Sequence, residues 1–151
     1  MRRLPGRTLL FVYGTLADGR APVRVRRALA RAARPVGRAW LRAVRYRLGA
    51  WPGAVPRRDG PRLEGLLLAL PDDPRLWRLL DRYEDADPAH PERGEFHRER
   101  VVVRRIPDGR TLEAWMYVWN RRGRRPLYSM RQGPRGRAAS RRRDERWPRR
   151  S

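Results

Sequence analysis

Thr8-Leu9-Leu10-Phe11-Val12-Tyr13-Gly14-Thr15-Leu16 is the stretch on which the reading of this chain turns. Residues 8–13 are apolar, β-branched or aromatic, which predicts a short buried strand. Gly14 then predicts a turn, because glycine reaches backbone angles that other residues avoid. A strand running into a functional turn is the suggestion; an ordinary tight turn explains the same residue types.

The neighbouring segments extend that pattern. Val25, Ala28, Leu29, Ala32 and Ala33 fall at helical spacing with Arg between them, and Pro22 suits a first turn, so residues 22–34 are expected to form an exposed amphipathic helix. Val44, Tyr46 and Leu48 alternate with Arg45 and Arg47 as a half-buried strand, which runs into the turn-rich Gly49-Ala50-Trp51-Pro52-Gly53. Residues 63–70 predict another strand. Asp73-Pro74 places a capping side chain before a first-turn proline, and Leu76, Trp77, Leu79, Leu80 and Tyr83 continue at helical spacing to Glu84.

Residues 85–95 are polar, with two prolines and a glycine, and read as a surface loop able to serve as a lid. Residues 97–106 and 111–120 read as two strands joined by Pro107-Asp108-Gly109-Arg110, a strong hairpin signal. The second has apolar groups on both faces and is expected to be central. Five extended runs with helices between them predict an α+β fold, a small mixed and mostly antiparallel barrel-like sheet flanked by helices.

Composition limits the chemistry. The 151 residues contain no Cys and two His, which excludes disulfides and thiolate metal sites and argues against zinc. The apolar run after Arg2, Arg3 and Arg7 is too short for a signal-peptide core and nothing approaches a membrane span, so a cytoplasmic location is expected. The net charge is +22 and all 38 basic residues are Arg. Residues 121–151 hold 13 Arg against Asp144 and Glu145, a net +11 equal to that of residues 1–120. Absence of Lys beside many Ala, Pro and Gly suggests a base-composition bias, which weakens charge as a sign of a partner. Beyond Asn120 few apolar anchors remain, so residues 1–120 are read as the domain and 121–151 as a largely disordered Arg-rich tail. Within it, residues 127–133 are a candidate final strand or pocket edge.

Four pieces in order resemble the gamma-glutamylcyclotransferase-like family, including its AIG2-like members, over roughly residues 8–120. Leu10-Phe11-Val12-Tyr13-Gly14-Thr15-Leu16 is similar to the family's N-terminal strand and YGTL turn. Leu48-Gly49-Ala50-Trp51-Pro52-Gly53-Ala54-Val55 resembles its central segment, with Trp where Tyr is common. Leu80-Asp81-Arg82-Tyr83-Glu84 resembles its LDxYE segment. Phe96-His97-Arg98-Glu99-Arg100-Val101 and Ala114-Trp115-Met116-Tyr117-Val118 resemble its closing strands. Asp85 stands where relatives usually carry Gly, and Phe96 where Tyr is usual.

The resemblance implies that Tyr13, Gly14, Thr15 and Leu16 bind the glutamyl part of a substrate and that Glu84 is the general acid/base. It also implies conversion of a γ-glutamyl amine or amide to 5-oxoproline without a cofactor. By residue type alone Glu84 reads first as a solvated carboxylate or an arginine partner. His90 and His97 read as structural or solvated, and Trp115, Tyr117 and Trp119 as packing. Two other functions stay open: a non-catalytic small-ligand-binding module on the same fold, and nonspecific nucleic-acid contact through the tail. The oligomeric state is unspecified by the sequence.

Overall fold

β1 (Arg7–Val12) lies inside a sheet because all its neighbours are provided by distant parts of the chain. It pairs antiparallel with β4 (Arg62–Pro71), from Arg7 opposite Pro71 to Val12 opposite Leu66, and parallel with β6 (Thr111–Trp119) at Leu10 and Phe11. The computed structural model describes residues 7–14, 17, 19–48, 51–106, 108–120 and 129–130.

β6 hydrogen-bonds along its length to β5 (Phe96–Arg105), and β4 to β2 (Arg34–Leu48). A short pairing of Ala39 and Trp40 with Arg105 and Arg104 joins β2 back to β5. The order β2-β4-β1-β6-β5-β2 therefore closes a five-stranded barrel. β3 (Trp51–Pro56) and β7 (Ser129–Met130) pair with the far end of β2. One parallel pairing among antiparallel ones, with α1 (Val23–Ala32) and α2 (Pro74–Glu84) outside, matches the α+β barrel-like expectation.

Alternation sorts the side chains. Leu9 and Phe11, then Ala39, Leu41 and Ala43, and Leu112, Ala114, Met116 and Val118 fill the barrel, two residues apart on each strand. Leu10, Val12, Tyr117 and Trp119 face outward and are covered by the apolar sides of the helices: Val25 and Leu29 of α1, Leu76, Leu80 and Tyr83 of α2. Burying these apolar faces is what the helices contribute to stability, since neither is long enough to persist alone. α2 starts as its sequence suggests, with the Asp73 carboxylate accepting the Arg75 N–H at 2.9 Å and Pro74 in the first turn.

Two expectations are corrected. The stretch 49–53, read as turns, contributes Trp51, Pro52 and Gly53 to β3; Pro52 is tolerated because β3 is an edge strand, where a missing N–H costs no interior ladder bond. The strand read at 44–48 is the end of the fifteen-residue β2, whose first half hides its alternation behind small inward alanines and a bulge at Pro35/Gly37. β6 is central, between β1 and β5.

β7 lies past Asn120, within the segment read as a tail, and sets Met130 beside Arg45. Thr15, Leu16, Gly49, Ala50, Pro107 and the tail at 121–128 and 131–151 lie outside the described residues. Among the described residues no helix is long and apolar enough to cross a membrane, and no three His, Asp or Glu gather as metal ligands.

Candidate functional site

Glu84 is the last residue of α2, and the turn that follows determines where it sits. Asp85 ends the helix in the left-handed region, φ 55° and ψ 53°, the single non-glycine residue with positive φ among the described residues. Glycine is the least strained residue in that conformation, and Asp is among the few others that visit it. Here the Asp85 carboxylate accepts the Glu95 N–H at 3.1 Å, and its carbonyl accepts the Phe96 N–H at 3.3 Å. These bonds tie the end of α2 to the start of β5. Gly94 is required there, because a Cβ would collide with the Asp85 carbonyl oxygen.

Tyr13 follows the last residue of β1. Its hydroxyl donates to the Tyr117 carbonyl at 2.8 Å, and the Ala54 N–H of β3 reaches the same oxygen. Gly14 opens the turn, its carbonyl accepting the Ala17 N–H at 2.9 Å. Burial raises the pKa of the Tyr13 phenol far above its ordinary value, and the negative charge of Glu84 raises it further. Tyr117 is shifted the same way, by burial first, then by Asp81 and by Glu84. One carboxylate thus acts on two protonated phenols.

Beneath Glu84, one turn earlier on α2, Asp81 is buried at 6% exposure. It accepts the Tyr117 hydroxyl at 2.7 Å and Arg98 Nη2 at 3.2 Å; Arg98 Nε stands 3.0 Å from Oδ1 without hydrogen-bond alignment. Burial holds the Asp81 pKa above the usual carboxylate value despite these partners. Arg98 lies against the rings of Trp77 (4.9 Å) and Trp115 (5.6 Å). Tyr117 therefore links both sides of the site, holding Tyr13 through its carbonyl and α2 through its hydroxyl.

Of the residues singled out in the sequence, Tyr13 and Gly14 follow β1 and Glu84 ends α2, close enough for its charge to act on the Tyr13 phenol, while Thr15 and Leu16 are not described. Asp81, Tyr117 and Arg45 belong beside them and were missed. Asp81 carried a signal: an acid between Leu80 and Tyr83 on the apolar side of a helix must find partners. His90 and His97 stand against Asp87 (3.4 Å) and Glu99 (3.1 Å). A separate groove of about 440 Å³, lined by Arg42, Arg57, Arg58 and Arg100 among others, contains none of the site residues. A carboxylate among phenols, beside a glycine turn, is equipped to exchange protons with a small bound ligand.

The family model described as gamma-glutamyl cyclotransferase, AIG2-like, matches residues 10–137. Among solved structures, an AIG2-like protein from Mus musculus is similar at 20% identity with a TM-score of 0.64, over 86% of this chain and 92% of that one. An Arabidopsis thaliana protein solved in solution is similar at 19% identity with a TM-score of 0.63, over 99% and 88% of the two chains. YkqA from Bacillus subtilis matches at 22% identity and a TM-score of 0.56, over 76% of this chain and 36% of its own. At these identities the structural likeness is one of fold. No curated protein matches the chain.

Proposed function

The chain belongs to the gamma-glutamyl cyclotransferase, AIG2-like family, and from that premise we propose that it converts a γ-glutamyl amine or amide to 5-oxoproline and a free amine, with Glu84 as general acid/base. The observation that carries this reading is that the Glu84 charge acts on the phenols of both Tyr13, the residue before Gly14, and Tyr117, whose carbonyl accepts the Tyr13 hydroxyl. Tyr13, Gly14, Thr15 and Leu16 are proposed to hold the glutamyl part of the substrate, exposed turn amides being general anion binders.

The chemistry is an internal displacement. Glu84 takes a proton from the substrate's α-ammonium, and the freed nitrogen attacks the γ-carbonyl carbon. The bond from that carbon to the departing nitrogen breaks as protons removed from the attacking nitrogen are delivered to it. Two protons move between the nitrogens overall, so one carboxylate acting first as base and then as acid balances the reaction. Because nucleophile and electrophile share one molecule, holding the substrate folded is the protein's main task; orientation is worth about 7 to 11 kcal/mol in favourable systems. The two phenols, kept protonated by burial, brace the site, Tyr13 donating to the Tyr117 carbonyl and Tyr117 to Asp81.

The test is release of 5-oxoproline by the purified protein from a panel of γ-glutamyl amines, amino acids and crosslinks. Turnover of at least one member is the expected result. Binding of panel members without any turnover would instead assign the chain to the alternative, a binding module on this fold.

A further inference from the structure

Four buried side-chain nitrogens have no hydrogen-bond partner among the described residues: Arg45 Nε, Arg98 Nε, Arg105 Nε and Trp119 Nε1. Trp119 is neutral and packs on the Tyr46 ring with centroids 5.0 Å apart; of the three arginines, Arg98 is paired with Asp81 and Arg105 faces Asp108 at 3.7 Å. Arg45 alone of these three enters no ion pair among the described residues. A buried cationic donor without a partner is costly, and native structures rarely keep one without a use.

Its position supplies the use. On β2 the residues Ala39, Leu41 and Ala43 face the barrel interior at a spacing of two, and Arg45 is next in that row. It lies directly opposite Ala54, itself part of the interior cluster, and Ala54 is the residue whose N–H reaches the Tyr13 oxygen. Directly opposed residues of an antiparallel pair share a face, so Arg45 projects toward the end of the barrel where Tyr13 sits. The Tyr13 hydroxyl feels the positive charge of Arg45 as well as the negative charge of Glu84. The site thus presents one cation and one anion around a single phenol.

We infer that Arg45 joins the turn amides in receiving the α-carboxylate of the γ-glutamyl group and supplies its counter-charge, so that the two charges on the ligand's α-carbon divide between Arg45 and Glu84. The inference rests on the function proposed above and adds the residue that selects an amino acid over a simple amine. A glutamyl α-carbon carries an ammonium, which Glu84 is proposed to deprotonate, and a carboxylate, which needs a cation fixed at a short distance. The Arg fork suits a carboxylate better than a point charge does.

The experiment uses the full chain, wild type and with Arg45→Gln or Arg45→Met. Binding of 5-oxoproline is compared by calorimetry with that of 2-pyrrolidinone, the same ring without the carboxylate. Turnover of a γ-glutamyl amide is compared with that of the 4-aminobutanoyl amide lacking the α-carboxylate. Wild type is expected to favour the carboxylate-bearing ligand by about 10- to 100-fold, the range of a hydrogen bond to a charged group. Both variants should lose that preference, bind 2-pyrrolidinone as before, and raise KM more than they lower kcat.

Wild-type preference retained in R45Q would overturn the inference while leaving the proposed function standing. A large drop in the melting temperature of R45M, or parallel loss of both ligands, would show Arg45 to be structural and overturn it too. Wild type that binds neither ligand and releases no 5-oxoproline would overturn both proposals together.

Discussion

Tyr117→Phe removes one oxygen atom from the link that joins both halves of the site. The hydroxyl is buried, donates to Asp81 at 2.7 Å, and is one of two side chains satisfying that carboxylate. A buried hydrogen bond to a charged group contributes about 1.5 to 3 kcal/mol. Arg98 remains on Asp81, so the expected cost is about 2 kcal/mol at neutral pH, or a fall of about 6 to 10 °C in Tm for a domain of this size.

The sign of the pH dependence follows from Asp81. Its folded pKa lies above the usual carboxylate value, with the Tyr117 bond holding it down against burial. Ionised Asp81 therefore opposes folding above its folded pKa, and that penalty is relieved as the pH falls through it. Removing the hydroxyl raises the folded pKa further. The variant's cost should then shrink under acid conditions, because protonated Asp81 no longer needs the lost donor. Urea unfolding of both proteins between about pH 3.5 and 7 measures this, the lower end lying near the ordinary carboxylate pKa. A cost below about 0.5 kcal/mol at pH 7, within the range of an unremarkable surface change, would refute the reasoning. So would a cost independent of pH.

Other expectations follow from close approaches and strain. Gly65→Ala sets a Cβ against the Val12 carbonyl oxygen and the Phe11 ring, neither of which yields without parting β1 from β4; thermal unfolding should show a loss of about 3 kcal/mol or more. Asp85→Ala keeps the left-handed strain and loses the bond to the Glu95 N–H, so a destabilisation of about 1 to 2 kcal/mol is expected from denaturant titration. Asp85→Gly relieves the strain as it loses that bond and should fall within about 0.5 kcal/mol of wild type. Equal stability of the Ala and Gly variants would show that the backbone angle at Asp85 is of no consequence.

The sequence made the outer parts of the fold easy to read and the inner parts hard. α2 was legible because Asp73, Pro74 and five apolar residues at helical spacing all favour one answer, and the closing hairpin because Asp108-Gly109 separates two β-branched runs. The first half of β2 was obscured by alanine, which fills the barrel interior without announcing a buried face, and β3 by a proline and a glycine that an edge strand accommodates.

At the proposed site, Tyr13, Gly14 and Glu84 were singled out through motif order. Asp81, Tyr117 and Arg45 were not, since their significance lies in contacts between elements, such as the Tyr117 hydroxyl on Asp81 across 36 residues and Arg45 opposite Ala54 across the β2–β3 pair. Tyr117 looked like packing, and its ring is packed, yet its carbonyl and hydroxyl hold Tyr13 and α2 in place. Arg45 was one arginine among 38 and became distinct only through a buried Nε with no hydrogen-bond partner and, among the described residues, no ion pair. Asp85, read as a departure at a glycine position, fills the left-handed cap that glycine would fill.

The most direct test of the account is the rate of 5-oxoproline release by Glu84→Gln beside wild type, under saturating γ-glutamyl substrate. Gln keeps the shape and removes the group that carries protons, so kcat is expected to fall by about 10²- to 10⁴-fold with KM little changed. Equal turnover by the two proteins would contradict the assignment of Glu84 as the acid/base.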